Sequence, residues 1–185
     1  YIYNNMNLEK YKKKFEYLVS LIGKNAEVIL EIGGHYGEDT LRFYKYFPES
    51  KIYSFEPDPR NIIIFKKFCT EIKNIELIEK AVYNSDNEYL DFYLSYSDLN
   101  ILQKKYNYIG IEDYVKLKLN NSGSSSLKQK KNTKFKKIKV NTIRLDTWYK
   151  SIKKLHLIDF LWIDVQGAEK EVLLGAIDVL KKVRF

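Results

Sequence analysis

The sequence predicts an α/β fold, a mostly parallel sheet with helices on both faces. Segments typical of strands alternate with segments whose apolar residues recur at helical spacing along most of the 185 residues. The strand segments are also almost continuously apolar, as in a sheet that is buried on both faces. Because ligands of such sheets bind beyond the carboxyl ends of the strands, we expect the functional residues in the turns that follow the strands.

The predicted elements are bounded by ordinary start and stop signals. Gly23 ends the first helix, Pro48 ends the second, and Asp58 and Pro59 provide the N-cap and first-turn proline of the third. The predicted strands are 27–32, 51–56, 75–82, 88–94, 138–145 and 158–165. The predicted helices are 8–22, 38–47, 59–72, a short one capped by Asp146, and 168–182.

One folded domain is expected over residues 27–185, preceded by an N-terminal helix within residues 1–26. Residues 95–137 are interpreted as an insertion with a basic loop, because their pattern is ambiguous and the stretch NSGSSS at 121–126 has the composition of a flexible loop. Another strand is expected to start at Val183. We therefore expect the C-terminal strands of the sheet to be missing from this chain.

The net charge of +8 comes mostly from one stretch, since seven lysines and no acidic residue lie between Lys128 and Lys139. Nucleic-acid binding is one option for this stretch, but a solvated mobile loop is the favoured interpretation. No apolar segment approaches the roughly 20 residues of a membrane-spanning helix. No signal peptide is recognised, and the single Cys69 favours a reducing compartment, so we predict a cytoplasmic location. The sequence gives no signal for oligomeric state.

The strongest functional signal is the turn after the first strand, which reads Glu31-Ile-Gly33-Gly34-His35-Tyr36-Gly37. Its glycines permit a tight turn and a close approach of a ligand to the backbone. The spacing is not the G-x-G-x-x-G of dinucleotide sites. A carboxylate at Glu31 would repel a pyrophosphate but suits the ammonium and sulfonium of S-adenosylmethionine. A glycine turn beside a surface glutamate is the structural alternative.

A second signal is Glu56, which ends the next strand and is followed by Pro57. An acid at this place can accept hydrogen bonds from both ribose hydroxyls of an adenosyl group, as in dinucleotide sites. A helix-capping role is the alternative, but Asp58 holds the better capping position. The two turns together indicate a cofactor site.

Five separated segments resemble the FkbM-type methyltransferases. They are the E-x-G-x-x-x-G turn, the F-E-P strand end, Ser125-Ser126-Leu127, the stretch VNTIRLD ending at Asp146, and the stretch DFLWIDVQGAE from Asp159 to Glu169. The resemblance covers roughly residues 28–180. It implies a class I methyltransferase with a Rossmann-like fold, S-adenosyl-L-methionine as methyl donor, and a hydroxyl acceptor, often on a sugar or natural product.

Two residues depart from the family pattern. Trp162 stands where the family commonly has lysine, and Gln166 stands where it commonly has glutamate. Gln166 keeps hydrogen-bonding capacity but loses a negative charge. A metal or base role that requires a carboxylate at this position is therefore disfavoured.

Asp164 is the expected catalytic base or acceptor-orienting residue, because it ends a buried strand beside the expected position of the methyl group. Glu169 is expected to assist, and His35 either touches substrate or simply packs. If a divalent metal takes part, Asp164 and Glu169 are its expected oxygen ligands. The expected cofactor-binding residues are Glu31, Gly33, Gly34, His35, Gly37, Thr40, Glu56, Pro57, Ala81 and Asp164.

The expected partner is a hydroxyl-bearing small molecule or glycan. A nucleic-acid methyltransferase is the first alternative, but the chain has neither an Asn-Pro-Pro-Tyr-like turn nor a Pro-Cys nucleophile. A non-catalytic interaction domain with the same fold is the second. The intact glycine turn, Glu56 and Asp164 argue against it.

Overall fold

The computed structural model describes residues 2–96, 125–128, 134–152 and 156–185, with side chains in the first helix from residue 12 onward. The helices are α1 (Ile2–Ile22), α2 (Glu38–Tyr46), α3 (Pro59–Cys69), α4 (Leu145–Ser151), α5 (Glu169–Leu174) and a 3-10 helix (Val179–Lys182). The strands are β1 (Val28–Ile32), β2 (Lys51–Phe55), β3 (Ile75–Ile78), β4 (Ala81–Val82), β5 (Tyr89–Tyr96), β6 (Lys134–Ile143) and β7 (Phe160–Ile163).

The main sheet has the strand order β3-β2-β1-β7, and all its pairs are parallel. Beyond the outer edge of β7, Val183 forms a parallel bridge with Ile158, and the Leu161 N–H donates to the Phe185 carbonyl at 3.0 Å. The chain therefore follows a strand path where the sequence predicts that a strand starts. The expected α/β fold with a mostly parallel sheet is confirmed.

Helices cover both faces of this sheet, because the side chains of each strand alternate between the faces. Ile29 of β1 belongs to a core cluster with Phe15 of α1 and Phe43 of α2. The next residue, Leu30, belongs to the cluster on the opposite face with Trp148 of α4, to which α5 and the 3-10 helix also contribute. The N-terminal helix is thus part of the domain core.

Trp162 of β7 lies on the same face as α1 and α2. Its ring is 6.2 Å from the ring of Phe43, and the Lys14 ammonium of α1 lies 4.0 Å from its centre. A cation over an aromatic face is a favourable contact. This departure from the family pattern therefore serves the attachment of α1 to the sheet.

A second, three-stranded sheet has the order β4-β6-β5, with β4 parallel and β5 antiparallel to β6. The strand predicted at 75–82 is in fact two strands in different sheets. The ends of the predicted insertion 95–137 are also strand residues, since β5 runs to Tyr96 and β6 begins at Lys134. Residues 97–124 and 129–133 lie outside the described residues.

The helix predicted at 168–182 is interrupted at Gly175. A Cβ at Gly175 would lie 2.1 Å from the Tyr83 carbonyl oxygen, so the chain passes too close to Tyr83 for a side chain here. Asp146 then accepts hydrogen bonds from the N–H groups of Asp178 and Val179, at 2.9 and 3.0 Å. The expectation that Asp146 caps its own helix is wrong, because its carboxylate binds the start of the 3-10 helix instead.

Asp159 lies at the amino end of β7 and joins three parts of the chain. Its carboxylate accepts hydrogen bonds from the backbone N–H groups of Glu27 and Val28, at 2.7 and 3.1 Å, and from Arg184 at 2.6 Å. Burial opposes ionisation, but the hydrogen bonds from Val28, Arg184 and Glu27 outweigh it, so the pKa of Asp159 lies below its ordinary value. The ionised carboxylate therefore stabilises the folded chain.

We expect Asp159→Asn to lower the free energy of unfolding at pH 7 by about 1–3 kcal/mol, since hydrogen bonds to a charged group are lost. The contribution of a carboxylate with a lowered pKa is complete above its ordinary pKa of 3.8 and is lost as the pH falls through the folded value. The difference between the native and variant urea midpoints should thus shrink below about pH 4. Asp178→Asn is the control, and it should change both quantities much less, because the ion pairs of Asp178 with Lys181 and Lys150 are exposed to solvent. Equal midpoints for the native protein and Asp159→Asn at pH 7 would contradict this role.

Candidate active site

Three turns meet at the carboxyl edge of the main sheet, after β1, β2 and β7. They are neighbours because β1 lies between β2 and β7. The Gly33 N–H donates to the Phe55 carbonyl at the end of β2, at 2.9 Å, and the Asp164 N–H donates to the Ile32 carbonyl at the end of β1, at 2.8 Å. The fold thus brings together the turns that the sequence singles out.

The glycines of the β1 turn are required by protein neighbours. Gly33 has φ +101, and a Cβ there would lie 2.1 Å from the Asp164 carbonyl oxygen. Gly37 has φ +88, and a Cβ there would lie 2.6 Å from the Cys69 sulfur. The predicted tight turn is confirmed, and its glycines let the turns and α3 approach one another. Gly34 also donates its N–H to the Phe55 carbonyl, at 3.0 Å.

Glu56, directly after β2, is 5% exposed and connects two of the turns. Its Oε2 accepts a hydrogen bond from the His35 N–H at 2.8 Å. Its Oε1 accepts from the Asp58 N–H at 2.7 Å and from the Asn61 side-chain amide at 3.2 Å. Burial raises the pKa of Glu56 to about 7, in spite of these hydrogen bonds. The helix-capping role falls to Asp58, as predicted, since Asp58 accepts from the Arg60 N–H at the start of α3.

His35 has a left-handed backbone, with φ 49. Its Nδ1 lies 3.1 Å from Glu38 Oε2, and its ring centre lies 3.6 Å from that of Tyr36. Burial opposes ionisation of Glu38, but its hydrogen bonds and its attraction to His35 outweigh burial and lower the pKa of Glu38. His35 is therefore held beside Glu56 by its backbone and beside α2 by its ring.

Glu31, on β1, is 1% exposed and points toward α2 and β2. Its Oε2 accepts hydrogen bonds from the hydroxyl of Thr40 and, at 2.8 Å, from that of Ser54. Burial raises the pKa of Glu31 to about 8. In this arrangement Glu31 fastens β1 to its neighbours, and its contact with a cofactor stays a prediction.

Thr40 is completely buried, and its hydroxyl binds Glu31. Neither Thr40 nor Asp39 caps α2, because the N-cap is Gly37 and it forms no side-chain capping hydrogen bond. Asp39 instead pairs with Arg42 at 2.5 Å. Since the Thr40 hydroxyl already donates to a buried carboxyl group, any contact with a cofactor would fall to the backbone of this first turn.

Asp164 follows β7 and is exposed at the carboxyl edge of the sheet. Its Oδ1 accepts a hydrogen bond of 2.6 Å from the side-chain amide of Gln166. An ionised glutamate at position 166 could not donate this bond, so the departure from the family pattern has a structural consequence. Glu169 accepts from the Gly167 N–H at 3.0 Å, and this bond lowers the pKa of Glu169.

The two remaining predicted cofactor residues lie at different depths. Pro57 is half-buried in the turn after β2. Ala81 is 3% exposed and packs in the core of the second sheet with Phe92, Leu94 and Val140. The Ala81 side chain therefore serves packing.

Part of the lysine-rich stretch is a strand and not a mobile loop. Lys137 and Lys139 lie on β6 and bind Asp91 on the adjacent β5, at 3.0 and 2.8 Å. Lys128 binds Glu171 at 3.0 Å. These pairs reduce the positive charge available to a polyanion. Residues 130 and 131 lie outside the described part of the chain.

Within the described ranges, no three histidine, cysteine or acidic side chains converge in a way that could hold a metal ion. Asp164 and Glu169, the two expected oxygen ligands, instead bind groups of their own turn. No helix in the described part of the chain combines the length and apolarity needed to cross a membrane.

A parallel α/β sheet whose carboxyl edge carries a glycine turn and acids after two flanking strands has the layout of a Rossmann-like ligand-binding domain. The chain belongs to the FkbM methyltransferase family. The family's model, described as the Methyltransferase FkbM domain, matches residues 31–185. The resemblance in the sequence is thereby confirmed.

The chain is also similar to the 2-O-methyltransferase NoeI of Sinorhizobium fredii, with 34% identity over 176 residues. The match covers 91% of this chain and 65% of that protein. The chain thus spans slightly less than two thirds of the length of this relative.

We expect Glu31→Gln to make the stability of the protein less sensitive to a rise in pH from 5 to 8. A carboxyl with a raised pKa stabilises the fold fully below its unfolded pKa, and this stability is lost as the pH rises toward the folded value of about 8. Each unit of difference between the folded and the unfolded pKa corresponds to about 1.4 kcal/mol in the free energy of unfolding. Glutamine cannot ionise, so its advantage over native Glu31 in thermal unfolding should grow between pH 5 and pH 8.

Glu76→Gln provides the control, because Glu76 is an exposed acid on β3 that pairs with Lys51. Its melting temperature should follow the native pH dependence. Identical pH profiles for the native protein and Glu31→Gln would show that Glu31 ionises as readily in the folded chain as in the unfolded one.

Proposed function

We propose that this chain is the core of an S-adenosyl-L-methionine-dependent O-methyltransferase that acts on a hydroxyl of a glycan or small molecule. The observation that carries the proposal is the meeting of three turns: Asp164 is exposed beside the β1 turn, and Glu56 lies on the other side of that turn. Family membership supports methyl transfer. The similarity to a 2-O-methyltransferase supports an oxygen acceptor.

The turn residues fit the adenosyl group of this cofactor. A carboxylate offers about four positions for hydrogen bonds. Glu56 uses one on Oε2, for His35, and two on Oε1, for Asp58 and Asn61. This leaves Oε2 the better acceptor for a ribose hydroxyl. When bound, the cofactor supplies an electrophilic methyl group on a sulfonium.

Asp164 would orient the acceptor hydroxyl and receive its proton. The carboxylate is exposed, and one of its oxygens is fixed by Gln166. Alignment of reacting groups supplies about 7–11 kcal/mol in well-oriented systems. A general base typically adds about 10²–10⁴-fold. The larger part of catalysis would therefore come from positioning.

A glycan or small molecule is the proposed acceptor, and the cytoplasm is the proposed location. The paired lysines of β6 give no particular support to a nucleic-acid substrate. Cys69 is a buried free thiol whose pKa is raised to about 12 by burial, which is compatible with a reducing compartment.

Cofactor affinity is expected to rise with pH. A ribose hydroxyl donor binds best to an ionised carboxylate, and Glu56 ionises with a pKa of about 7. The dissociation constant of S-adenosylmethionine should fall by up to about tenfold per pH unit below that pKa and then level off. Calorimetric titrations between pH 5.5 and 8.5 measure this dependence.

In the same titrations, Glu56→Gln should bind more weakly at pH 8, with little remaining pH dependence, and Glu76→Gln should behave as the native protein. Equal affinity of the native protein and Glu56→Gln at pH 8 would remove Glu56 from the cofactor site. A native protein that binds neither S-adenosylmethionine nor its demethylated product would overturn the proposed function.

Asp164→Asn should lower turnover by about 10²-fold or more and leave cofactor affinity nearly unchanged. Asparagine keeps the shape of the side chain but removes the negative charge that would accept the proton. The acceptor is first found by a labelled-cofactor screen of glycans, hydroxyl-bearing small molecules and RNA. Asp178→Asn is the exposed control. Asp159→Asn, at the opposite edge of the sheet, should keep its turnover at temperatures where it is folded. Unchanged turnover in Asp164→Asn would exclude Asp164 as the base. A methylated nucleobase among the products of the screen would exclude a hydroxyl as the acceptor and favour a nucleic-acid substrate.

A further inference from the structure

Two adjacent serines lie between the turn after β2 and the turn after β7. Ser125 and Ser126 are 9% and 1% exposed. Ser126 exchanges backbone hydrogen bonds with Tyr93 of β5, at 2.8 and 3.3 Å. The Ser95 N–H, also on β5, donates to the Ser125 hydroxyl at 3.1 Å. The second sheet therefore holds both serines in place.

The Ser125 hydroxyl is connected to Glu56. It accepts a hydrogen bond from the Arg60 guanidinium at 3.0 Å. Arg60 in turn donates hydrogen bonds to both carboxylate oxygens of Asp58, at 3.0 and 2.6 Å. The Asp58 N–H then donates to Glu56 at 2.7 Å. Arg60 also donates to the Ser95 carbonyl at 3.2 Å. A continuous series of hydrogen bonds thus runs from Ser125 to the proposed ribose acceptor.

The Ser126 hydroxyl is connected to Asp164. It donates to the Gln166 carbonyl at 3.0 Å. Gln166 has φ 59, a left-handed conformation that a residue other than glycine keeps only where its surroundings hold it. The side chain of the same Gln166 donates to Asp164 at 2.6 Å. The Ser126 hydroxyl therefore holds the residue that orients the proposed base.

We propose that Ser125 and Ser126, which we name the serine clamp, are positioning residues that set Glu56 and Asp164 relative to each other. Ser125 acts on cofactor binding through Arg60, and Ser126 acts on the chemical step through Gln166. The assignment of these two effects rests on the proposed function. The positioning of Arg60 and Gln166 by the serine clamp depends only on the contacts of the two hydroxyls.

The two serines should affect different kinetic constants. A misplacement of about 1 Å can cost about 10²-fold in rate, so loss of the Ser126 hydroxyl should act mainly on turnover. We expect Ser126→Ala to lower kcat by about tenfold or more, with a cofactor dissociation constant within about twofold of the native value. We expect Ser125→Ala to raise that dissociation constant about fivefold or more, with kcat at saturating cofactor within about twofold.

Ser50→Ala is the matched control. Ser50 is completely buried, and its hydroxyl donates to the Ala26 carbonyl at the amino end of the sheet, far from the turns. This variant loses a comparable buried hydrogen bond and should melt earlier with both constants unchanged. Ser126→Thr keeps a hydroxyl and should recover most of the turnover. The clamp would be overturned if Ser125→Ala and Ser126→Ala changed kcat and the cofactor dissociation constant to the same extent. It would also be overturned if the kcat of Ser126→Ala were no lower than that of Ser50→Ala.

A readout without substrate separates the clamp from the proposed function. In nuclear magnetic resonance spectra of the unliganded protein, Ser126→Ala should shift the side-chain amide signal of Gln166. Ser125→Ala should shift the Nε–H signal of Arg60, which donates to Asp58. If the native protein does not bind or use S-adenosylmethionine, the proposed function fails. The Gln166 and Arg60 signals would still show whether the two serines position these residues. Unmoved Gln166 and Arg60 signals would overturn it.

Discussion

The structure depends on how closely the turn after β1 is enclosed by its two neighbours. Its first glycine donates to the end of β2 and lies against the Asp164 carbonyl after β7. No side chain fits between these backbones, so the three turns are held at fixed separations. An acid that follows β2 and an acid that follows β7 can therefore act on one ligand that spans the edge of the sheet. Parallel pairing makes this possible, since it puts all carboxyl ends on the same side.

Two buried carboxyl groups, Glu31 and Glu56, contact this turn and its helix in different ways. Both have raised pKa values, because burial disfavours the charged form more than their hydrogen bonds favour it. Glu31 binds two hydroxyls from neighbouring elements, so it functions as a neutral connector inside the sheet. Glu56 binds backbone N–H groups of two turns at the carboxyl edge of the sheet. The same residue type thus serves packing at one strand end and ligand binding, as proposed, at the next.

The second sheet is connected to the rest of the domain by polar contacts as well as by apolar packing. Asp86, in the turn before β5, accepts hydrogen bonds from the Arg144 N–H and the Thr147 hydroxyl at the start of α4. Ser125 and Ser126 provide the connection at the carboxyl edge. Because Gln166 supports Asp164 with an amide, this chain orients its strand-end acid through a neutral hydrogen bond and without an additional negative charge. The local field around Asp164 therefore differs from the field that an ionised glutamate at position 166 would produce.

The sequence by itself determined the alternation of strands and helices, the turn at residues 33–37, the cap at Asp58 and the acids at Glu56 and Asp164. These depend on local signals: apolar periodicity, a glycine spacing, and polar residues directly after apolar runs. Only the tertiary structure decided that residues 75–82 are divided between two sheets, that Gly175 interrupts a helix, and that Asp146 caps a distant one. It also decided that Glu31 is buried under Thr40 and Ser54. Each of these outcomes depends on a neighbour that is remote in the chain, and no local pattern specifies which remote group occupies the space beside a residue.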